Sequence, residues 1–247
     1  MMDLWKFNIR LKDYYSKLIH LIKISLFENK CKLCDVPLVF EEEKHICNDC
    51  NKSIVFNNFN ICNRCGKRIS RDLQLCGECT INPPSFVRHM SFSTYDDKLR
   101  ELILKSKYRE VKPLRDISIN YYIEVFSHFS DINFDYIIPV PMDQGRERNY
   151  NHILEIGKVL ALRLNIPLEA DNLIKIKQTE PQAGLTMAKR LKNLNRAFKL
   201  KFPNRLKNKT IIIIDDVYTT GTTIKKCSEP LIRAGATVYA ITLARSV

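Results

Sequence analysis

The sequence predicts an α/β protein: a small doubly wound parallel sheet, preceded by a cysteine-rich module. Three observations support this fold class. Residues 211–214 are four consecutive isoleucines, which is typical of a strand buried on both faces in a parallel sheet. Strand-like and helix-like patterns alternate through residues 86–247. Eight of the nine cysteines form C-x-x-C pairs, all of them within residues 31–79.

The N-terminal residues, 1–29, are expected to form one amphipathic helix. Apolar residues recur at helical spacing from Leu4 to Leu26, and basic residues lie between them. A helix docked on the rest of the protein explains this pattern best. A basic amphipathic helix on a membrane surface is the alternative.

The paired cysteines predict that residues 30–82 bind zinc. Two residues between thiolates allow a tight turn to direct both sulfurs at one tetrahedral ion, and two such turns complete a four-thiolate shell. Eight cysteines fill two shells and leave no position for water, so we expect one or two structural Zn²⁺ ions in a four-cysteine zinc ribbon or a double ribbon. Sequential pairing gives the shortest loops, and crossed pairing stays open. The expected ligands are Cys31, Cys34, Cys47, Cys50, Cys62, Cys65, Cys76 and Cys79.

Residues 86–247 are expected to form the sheet domain, and the sequence Asn82-Pro83-Pro84 marks its expected boundary. Residues 178–205 are polar, basic and poorly periodic, which predicts a mobile flap or hood. The expected strands cover residues 86–95, 136–140, 173–177, 210–215 and 237–243. The expected helices cover residues 97–107, 114–129, 150–164 and 224–234.

The segment DDVYTTGTT, residues 215–223, follows the isoleucine strand and precedes a helix. Ligands of open α/β sheets bind outside the carboxyl ends of the strands. A Gly/Thr loop that opens a helix there offers backbone N–H groups to a phosphate. Two carboxylates beside it can accept hydrogen bonds from sugar hydroxyls or hold Mg²⁺. We therefore expect a phosphorylated sugar, with its phosphate on Thr219, Thr220, Gly221, Thr222 and Thr223 and its hydroxyls on Asp215 and Asp216.

A second loop, residues 139–152, leaves the end of another predicted strand and should reach the same edge of the sheet. Arg146 and Arg148 could offer forked donors to a pyrophosphate. Lys107, at the end of the first predicted helix of the sheet domain, is a third candidate cation. Solvated surface charges remain the alternative for all three.

Three other side chains are expected to be structural or exposed. Cys227 lies in an apolar helical pattern and predicts a core thiol. His45 lies among the cysteines, but a surface histidine is the preferred interpretation. His152 begins a predicted helix, where a capping or surface role is preferred over catalysis.

The formal net charge of +13 is unevenly distributed. Two zinc ions and eight thiolates would bring residues 1–90 close to neutrality, so the basic character belongs to the sheet domain. Residues 189–209 contain nine Lys and Arg and no acidic residue. This segment suits pyrophosphate or a nucleic-acid backbone, with an ordinary lysine-rich surface as the alternative. The DNA-contact candidates are Lys189, Arg190, Lys192 and Arg196.

The composition argues against an integral membrane protein. No run of 18 or more apolar residues occurs, and the N-terminus lacks the uncharged core of a signal peptide. Repeated C-x-x-C pairs read as zinc ligands in a reducing compartment. We therefore expect a cytoplasmic protein.

Residues 211–223 resemble the 5-phosphoribosyl-1-pyrophosphate (PRPP) binding motif of type I phosphoribosyltransferases. Over residues 30–247 the chain resembles the ComF family, in which a zinc ribbon precedes a type I phosphoribosyltransferase-like domain. ComF-like chains usually read RGFNQ where residues 148–152 read RNYNH, so the Gly and Gln positions differ here. The resemblance rests on the cysteine pairs, Pro139-Val140-Pro141, residues 148–152, Gln182, Arg190, Asn193, Ala197-Phe198 and the thirteen-residue motif.

This resemblance implies a protein of natural transformation that binds PRPP or a related phosphoribosyl ligand, with Mg²⁺ accompanying PRPP. It also implies handling of incoming single-stranded DNA at the inner face of the membrane, beside a helicase-like ATPase. The alternative is an active phosphoribosyltransferase that transfers the phosphoribosyl group of PRPP to a nitrogen acceptor in nucleotide metabolism. Only residues 244–247 follow the last predicted strand, which leaves little chain for recognising a nucleobase and favours the first interpretation.

Overall fold

A computed structural model describes residues 15, 30–38, 45–107, 112–142, 151–176 and 197–246 of the chain. The chain divides into two compact units, Met1–Ile54 and Val55–Val247. Each unit contains one group of four cysteines. The expected N-terminal helix lies outside the described residues, apart from Tyr15.

The first unit is organised around a tight cysteine turn and a short helix, α1 (Asn48–Ser53). The turn closes through a hydrogen bond from Asp35 N–H to the Cys31 carbonyl, 2.9 Å long, and Asp35 has a positive φ of 59°. Cys47 is the N-cap of α1. This arrangement brings both cysteine pairs of the unit together.

The second unit begins with a repeat of the same local structure. Gly66 occupies the position of Asp35, with a φ of 70°, and its N–H donates to the Cys62 carbonyl over 2.9 Å. A second short helix, α2 (Gly77–Ile81), follows its N-cap Cys76. An isolated antiparallel bridge joins the two sides of each turn, between Lys30 and Pro37 in the first unit and between Ile61 and Arg68 in the second. The two ribbons are therefore built alike.

The remainder of the second unit alternates strands and helices. In chain order these are β1 (His89–Thr94), α3 (Asp97–Ser106), α4 (Lys112–Ser127), β2 (Tyr136–Pro139), α5 (His152–Leu164), β3 (Leu173–Lys175), β4 (Phe198–Leu200), a 3-10 helix (Pro203–Leu206), β5 (Thr210–Tyr218), α6 (Thr222–Arg233) and β6 (Thr237–Arg245).

Four strands form one parallel sheet in the order β1-β6-β5-β2. In its register Ile211 pairs with Tyr136 of β2 and with Val238 of β6. The strand order departs from the chain order, which is the arrangement of a doubly wound α/β sheet. The predicted fold class is confirmed.

The side chains of the four isoleucines of β5 pack on both faces of this sheet. Ile211 and Ile213 belong to one core cluster with Cys227 and Leu231 of α6. On the opposite face, a Cβ added to a glycine of α5, Gly157, would lie 3.2 Å from Ile214 Cδ1. All four isoleucines are fully buried, as the sequence predicts for a strand covered on both sides.

Several predicted boundaries differ from the observed ones. β5 continues through Tyr218 instead of ending at Asp215, so both aspartates lie inside the strand. Pairing with β6 continues to Tyr218, which pairs with Arg245, and this register keeps the polar residues extended. α6 begins at Thr222, two residues before the predicted start, because Gly221 forms its N-cap.

The flap prediction is wrong for the part of residues 178–205 that the structure describes. Phe198–Leu200 pairs antiparallel with Leu173–Lys175, and the side chains of Phe198 and Leu200 are buried. The 3-10 helix that follows buries Leu206 completely. Strand pairing and apolar contacts outweigh the polar composition here. Residues 177–196 lie outside the described residues.

Within the described part of the chain, none of the helices is long and apolar enough to cross a membrane.

Two adjacent tyrosines of α4 provide a matched test of how β5 is held. The Tyr122 hydroxyl donates to the Asp215 carbonyl over 2.6 Å, whereas the buried Tyr121 hydroxyl has no hydrogen-bond partner among the described residues. Tyr122→Phe leaves a buried carbonyl without this donor, so we expect unfolding free energy to fall by about 1–2 kcal/mol. Tyr121→Phe should leave it unchanged or slightly raised. Urea denaturation of both variants measures this, and equal losses would contradict the assignment.

Candidate functional site

Asp215 and Asp216 lie side by side near the end of β5. The Asp216 backbone N–H donates to Asp215 Oδ1 over 2.9 Å. β2 pairs only as far as Ile214, so β5 extends beyond its neighbour at this point and exposes one edge. The two carboxyl groups are half-buried, and Asp216 is ion-paired with Lys107, whose Nζ lies 2.5 Å from Asp216 Oδ2.

The two aspartates have opposite pKa shifts. Burial and the neighbouring Asp216 raise the pKa of Asp215 to about 8. Burial also disfavours the charge on Asp216, but Lys107 and His152 outweigh it and lower its pKa. Burial opposes the charge on Lys107, and the Asp216 carboxylate overcomes this effect and raises the Lys107 pKa. The pair therefore presents one carboxylate paired with Lys107 and one carboxyl group that ionises more readily when a cation arrives.

His152 lies in the same group of charges, as the first residue of α5. It is 8% exposed, and its Nε2 has no hydrogen-bond partner among the described residues. Burial lowers the pKa of His152 to about 4, although Asp216 favours its charged form. The expected capping or surface role is wrong: the Asn151 side chain caps α5 by accepting from Leu154 N–H over 3.2 Å, and His152 points away from bulk water.

The loop between β5 and α6 turns into the helix at a glycine. Gly221, the N-cap of α6, has a φ of 72°, which L-residues with side chains rarely adopt. The hydroxyls of Thr220 and Thr222 lie 2.7 Å apart. The backbone N–H groups of the first turn of α6 have no helical acceptor and, together with the helix dipole, favour a negative charge.

Three side chains support this loop from below. The Tyr218 ring stacks on His89, with 4.0 Å between ring centroids, and the Arg245 guanidinium lies 4.5 Å from its centroid. A Cβ added to Gly221 would lie 2.0 Å from Tyr218 Oη, so only glycine fits above this ring. The Tyr218 ring therefore forms the floor of the loop.

The cysteines form two groups of four. Within each group all sulfurs lie within 4.8 Å of one another: Cys31, Cys34, Cys47 and Cys50 in the first unit, and Cys62, Cys65, Cys76 and Cys79 in the second. Consecutive C-x-x-C pairs therefore share a group, which is the sequential pairing. Crossed pairing is excluded because neither group contains a cysteine of the other. His45 is exposed and belongs to neither group, as expected.

The chemistry of both groups suits Zn²⁺. N–H groups of Cys47, Cys34 and Leu33 outweigh burial and lower the pKa of Cys31 to about 6. In the second group, N–H groups of Cys65, Cys76 and Arg64 likewise lower the pKa of Cys62 to about 7. Burial instead raises the pKa of Cys50 in the first group and of Cys65 and Cys79 in the second. A bound cation would favour the thiolate form of these cysteines, and four thiolates fill the tetrahedral shell of structural zinc.

A cavity of about 130 Å³ lies between the loop and the second ribbon. Its walls come from residues 218–222 of the loop on one side and from the ribbon and its following segment on the other. Polar and charged groups are prominent in the lining, which includes Glu78, Asn82, Lys225 and Arg245. A small polar ligand at the loop would thus meet the ribbon.

The structure brings some of the expected site residues together and leaves others outside its description. Asp215, Asp216, residues 219–223 and Lys107 lie at one edge of the sheet. Arg146 and Arg148 lie outside the described residues, and so do Lys189, Arg190, Lys192 and Arg196. Cys227 is a fully buried core thiol in α6, as predicted.

Several residues of the site were missed by the sequence analysis. Tyr218 belongs to the motif DDVYTTGTT, but nothing in the motif predicts that its ring packs against Gly221. His89 and Arg245 lie on β1 and β6, which are far apart in sequence but adjacent in the sheet. The register pairs His89 with Ala240 and Arg245 with Tyr218, so the contact of both side chains with the Tyr218 ring is visible only in the structure. The burial of His152 and the missing hydrogen-bond partner of its Nε2 among the described residues can likewise be recognised only from the tertiary structure.

The fold and the two cysteine groups define a class: a type I phosphoribosyltransferase-like domain combined with a double zinc ribbon. A family described as "Double zinc ribbon domain" matches residues 24–80. The chain is 30% identical over 199 residues to Competence protein F of Haemophilus influenzae, covering 77% of this chain and 85% of that protein. This chain therefore belongs to the ComF family.

Other relatives agree. The chain is 25% identical over 236 residues to Competence protein ComFC of Bacillus subtilis, covering 87% of this chain and 95% of that protein. It is 27% identical over 212 residues to DNA utilization protein YhgH of Escherichia coli K12, covering 83% and 92%.

Solved structures of phosphoribosyltransferases are also similar. The adenine enzyme of Saccharomyces cerevisiae matches with a TM-score of 0.35 and 17% identity, over 54% of this chain and 69% of that one. The orotate enzyme of Aeropyrum pernix matches with a TM-score of 0.34 and 22% identity, over 57% and 62%. Scores of this size carry no conclusion by themselves, and the strand order and the family establish the fold.

The buried His152 predicts a loss of stability in mild acid. Its pKa rises from about 4 when folded to the ordinary 6.5 when unfolded, so the unfolded chain binds the proton first. The contribution of neutral, buried His152 to the free energy of unfolding is fully present above pH 6.5 and is lost as the pH falls towards 4. Between pH 7.5 and pH 5 we expect a loss of about 2 kcal/mol from this residue.

His152→Gln should remove this contribution, and urea denaturation at both pH values measures it. His128→Gln, at an exposed histidine, serves as the control. The same pH dependence in the wild type and in His152→Gln would show that His152 is not buried in its neutral form.

Proposed function

We propose that this protein binds PRPP or a related phosphoribosyl ligand and takes part in the uptake and handling of single-stranded DNA during natural transformation. The observation that carries the proposal is the joint geometry of the Asp215–Asp216 pair and the Gly221 turn. A sugar needs hydroxyl acceptors, a phosphate needs N–H donors, and the end of β5 presents both within a few residues.

The proposed binding mode assigns a role to each group. The 5′-phosphate lies on the N–H groups and hydroxyls of residues 219–223, and the ribose hydroxyls bind Asp215 and Asp216. Mg²⁺ accompanies PRPP and favours the ionised form of Asp215, whose pKa is raised to about 8 in its absence. Lys107 already neutralises Asp216 and, with Arg146 and Arg148, would face the pyrophosphate.

The two ribbons are proposed to hold one structural Zn²⁺ each. All eight ligands are cysteines, so neither site keeps a position open for water or substrate. Bound zinc neutralises part of the thiolate charge and stabilises turns that bury few apolar side chains.

The DNA-handling part of the proposal draws on the relatives and on charge. Two of the similar proteins are named as competence proteins and one as a DNA utilization protein. The basic run of residues 189–209 would supply phosphate contacts, with Lys189, Arg190, Lys192 and Arg196 as the candidates. We place the protein in the cytoplasm, at the inner face of the membrane, beside a helicase-like ATPase.

An active phosphoribosyltransferase is the second candidate function, and His152 favours it. Near neutral pH its imidazole is uncharged, it lies in the same electrostatic group as Asp216 and Lys107, and its Nε2 has no partner among the described residues. Because Nε2 is buried and the His152 pKa is about 4, the site would have to open, and the His152 pKa to rise, before this nitrogen could accept a proton from a nitrogen nucleophile that displaces pyrophosphate. Mg²⁺ and cationic side chains would stabilise the leaving group.

The ribose assignment predicts the outcome of Asp215→Asn combined with Asp216→Asn. Replacing charged acceptors of sugar hydroxyls and Mg²⁺ should weaken PRPP binding about 100-fold or more while the zinc content stays intact. Calorimetric titration with PRPP and Mg²⁺ measures the affinity. Asp135→Asn is the matched control, because Asp135 is ion-paired with Lys209 and accepts from Thr210 N–H at the opposite end of β5. Unchanged affinity in the double variant would refute the site.

The basic run predicts the salt dependence of DNA binding. Replacing Lys189, Arg190, Lys192 and Arg196 by Glu should weaken binding of single-stranded DNA and reduce the slope of log K against log salt by about 3. The same charge change at exposed helix positions provides the control: Arg100, Lys112, Lys158 and Arg163. Fluorescence anisotropy at several salt concentrations measures both, and identical slopes would mean that the run does not contact DNA.

A further inference from the structure

The two cysteine groups differ in what surrounds them. The second group, from Cys62 to Cys79, belongs to the hydrophobic core cluster that also contains Phe86, Tyr218 and Ile224 at the phosphate loop. The first group lies in the other compact unit. The second ribbon is therefore part of the same packed body as the proposed ligand site.

Two neighbouring carbonyls connect the second ribbon to the sheet, and the first, that of Arg64, accepts from the His89 backbone N–H over 2.7 Å. The Cys65 carbonyl accepts a hydrogen bond from Arg245 Nη1 over 2.7 Å and contacts His89 Nδ1 over 3.0 Å. Because a carbonyl can only accept, Nδ1 of His89 must carry the proton. His89 Nε2 then faces the hydroxyls of Thr242, 3.1 Å away, and Ser91, 3.4 Å away; Ser91 can donate to it while Thr242 donates to the Ala244 carbonyl. His89 and Arg245 are thus both oriented by the backbone of a cysteine of the ribbon.

The same two side chains hold Tyr218 in place. Its ring lies against the His89 imidazole on one side and beneath the Arg245 guanidinium, and Phe86 packs against it edge-on at 6.5 Å. Tyr218 in turn sets the position of Gly221, which has no room for a Cβ above the hydroxyl. A continuous line of contacts therefore runs from Cys65 to the N-cap of α6.

We propose that zinc in the second ribbon positions the phosphate loop, so that zinc occupancy of this site and binding of a phosphate ligand at residues 219–223 are thermodynamically linked. His89, Tyr218 and Arg245 are the positioning residues that transmit the effect. Zinc in the first ribbon has no such linkage. The ligand in this inference is that of the proposed function, on which the inference rests.

Loss of zinc would act through the Cys65 turn. The four sulfurs lie within 4.8 Å of one another, and without a metal no bond holds them there, so the turn relaxes. The Cys65 carbonyl then moves away from Arg245 and from the fully buried His89 N–H. A buried N–H donor without an acceptor is unfavourable, so His89 shifts and the Tyr218 ring stacked on it shifts as well. Gly221 then loses its contact with the Tyr218 ring.

The cavity between the loop and the ribbon adds a direct contact to this linkage. Cys65 and Cys79 line it together with Thr220 and Gly221, and Lys225 and Arg245 contribute positive charge. A phosphate on the loop would therefore lie near the ribbon as well as above Tyr218. Because linkage is reciprocal, such a ligand must also strengthen zinc binding at the second site.

The first test follows zinc release from the full-length protein into excess chelator, with and without PRPP and Mg²⁺, and separately with inorganic phosphate. Cys31→Ser with Cys34→Ser removes the first site and leaves the second to be observed alone. We expect either ligand to slow zinc release from this variant about 5-fold or more, a size typical of site-to-site coupling. Equal release rates with and without ligand would refute the linkage.

The converse variant, Cys76→Ser with Cys79→Ser, removes the second site and leaves the Cys65 backbone in place. Calorimetry should show ligand affinity reduced about 10-fold or more, whereas the variant of the first site binds as the wild type does. Equal affinities in the two variants would refute the inference.

Arg245→Lys keeps the test valid if the converse variant fails to fold. This substitution retains a positive charge but loses the planar group that contacts both the Cys65 carbonyl and Tyr218. We expect both zinc ions to be retained and the protection of the second by ligand to disappear. Arg163→Lys is the matched control, at an exposed arginine bonded to Asn120 Oδ1. Full protection in Arg245→Lys would exclude Arg245 as a positioning residue and contradict the inference.

The outcomes separate the two proposals. Wild-type protein with both zinc ions that binds neither PRPP nor phosphate would contradict the proposed function and this inference together. Protein that binds PRPP equally well with and without zinc in the second ribbon would contradict the inference alone.

Discussion

The burial of β5 on both faces is the constraint around which the second unit is arranged. Four isoleucines remove their side chains from water only if helices cover each face, and α6 and α5 provide that cover. The strand must then end where backbone polar groups meet new partners. The Tyr122 hydroxyl satisfies the Asp215 carbonyl where β2 has ended, and the Gly221 turn converts the strand into a helix. The proposed ligand site lies at the polar end of an apolar strand.

Electrostatics at this end are balanced before any ligand arrives. Lys107 neutralises Asp216, and burial keeps the neighbouring Asp215 close to its protonated form near neutral pH. His152 stays uncharged for the same reason. These side chains therefore hold little unpaired charge among themselves, and a magnesium–phosphate ligand would bring both a cation for Asp215 and an anion for the loop. This accounts for carboxylates beside a phosphate turn without mutual repulsion.

The ribbons have identical local construction but different surroundings. Asp35 and Gly66 occupy equivalent positions with positive φ, and each cysteine turn precedes a short helix that begins after a cysteine N-cap. The second ribbon packs with the sheet of its own unit, through the Cys65 carbonyl and the aromatic ring of Tyr218. A small module without a large core gains stability from metal, and here it also gains a place beside the phosphate loop.

Local patterns determined the parallel sheet, the two cysteine groups and the glycine turn that opens α6, because each depends on residues close in sequence: four isoleucines, pairs of C-x-x-C, and DDVYTTGTT. Side-chain burial and long-range contact were decided by the tertiary structure alone. The extension of β5 through Tyr218 required β6 as a partner, and the pairing of Phe198–Leu200 with Leu173–Lys175 overrode a polar composition. Tyr218 and Arg245 are paired by the strand register, whereas His89 lies opposite Ala240 and meets the Tyr218 ring through its side chain. No periodicity in the chain encodes which of these side chains touch.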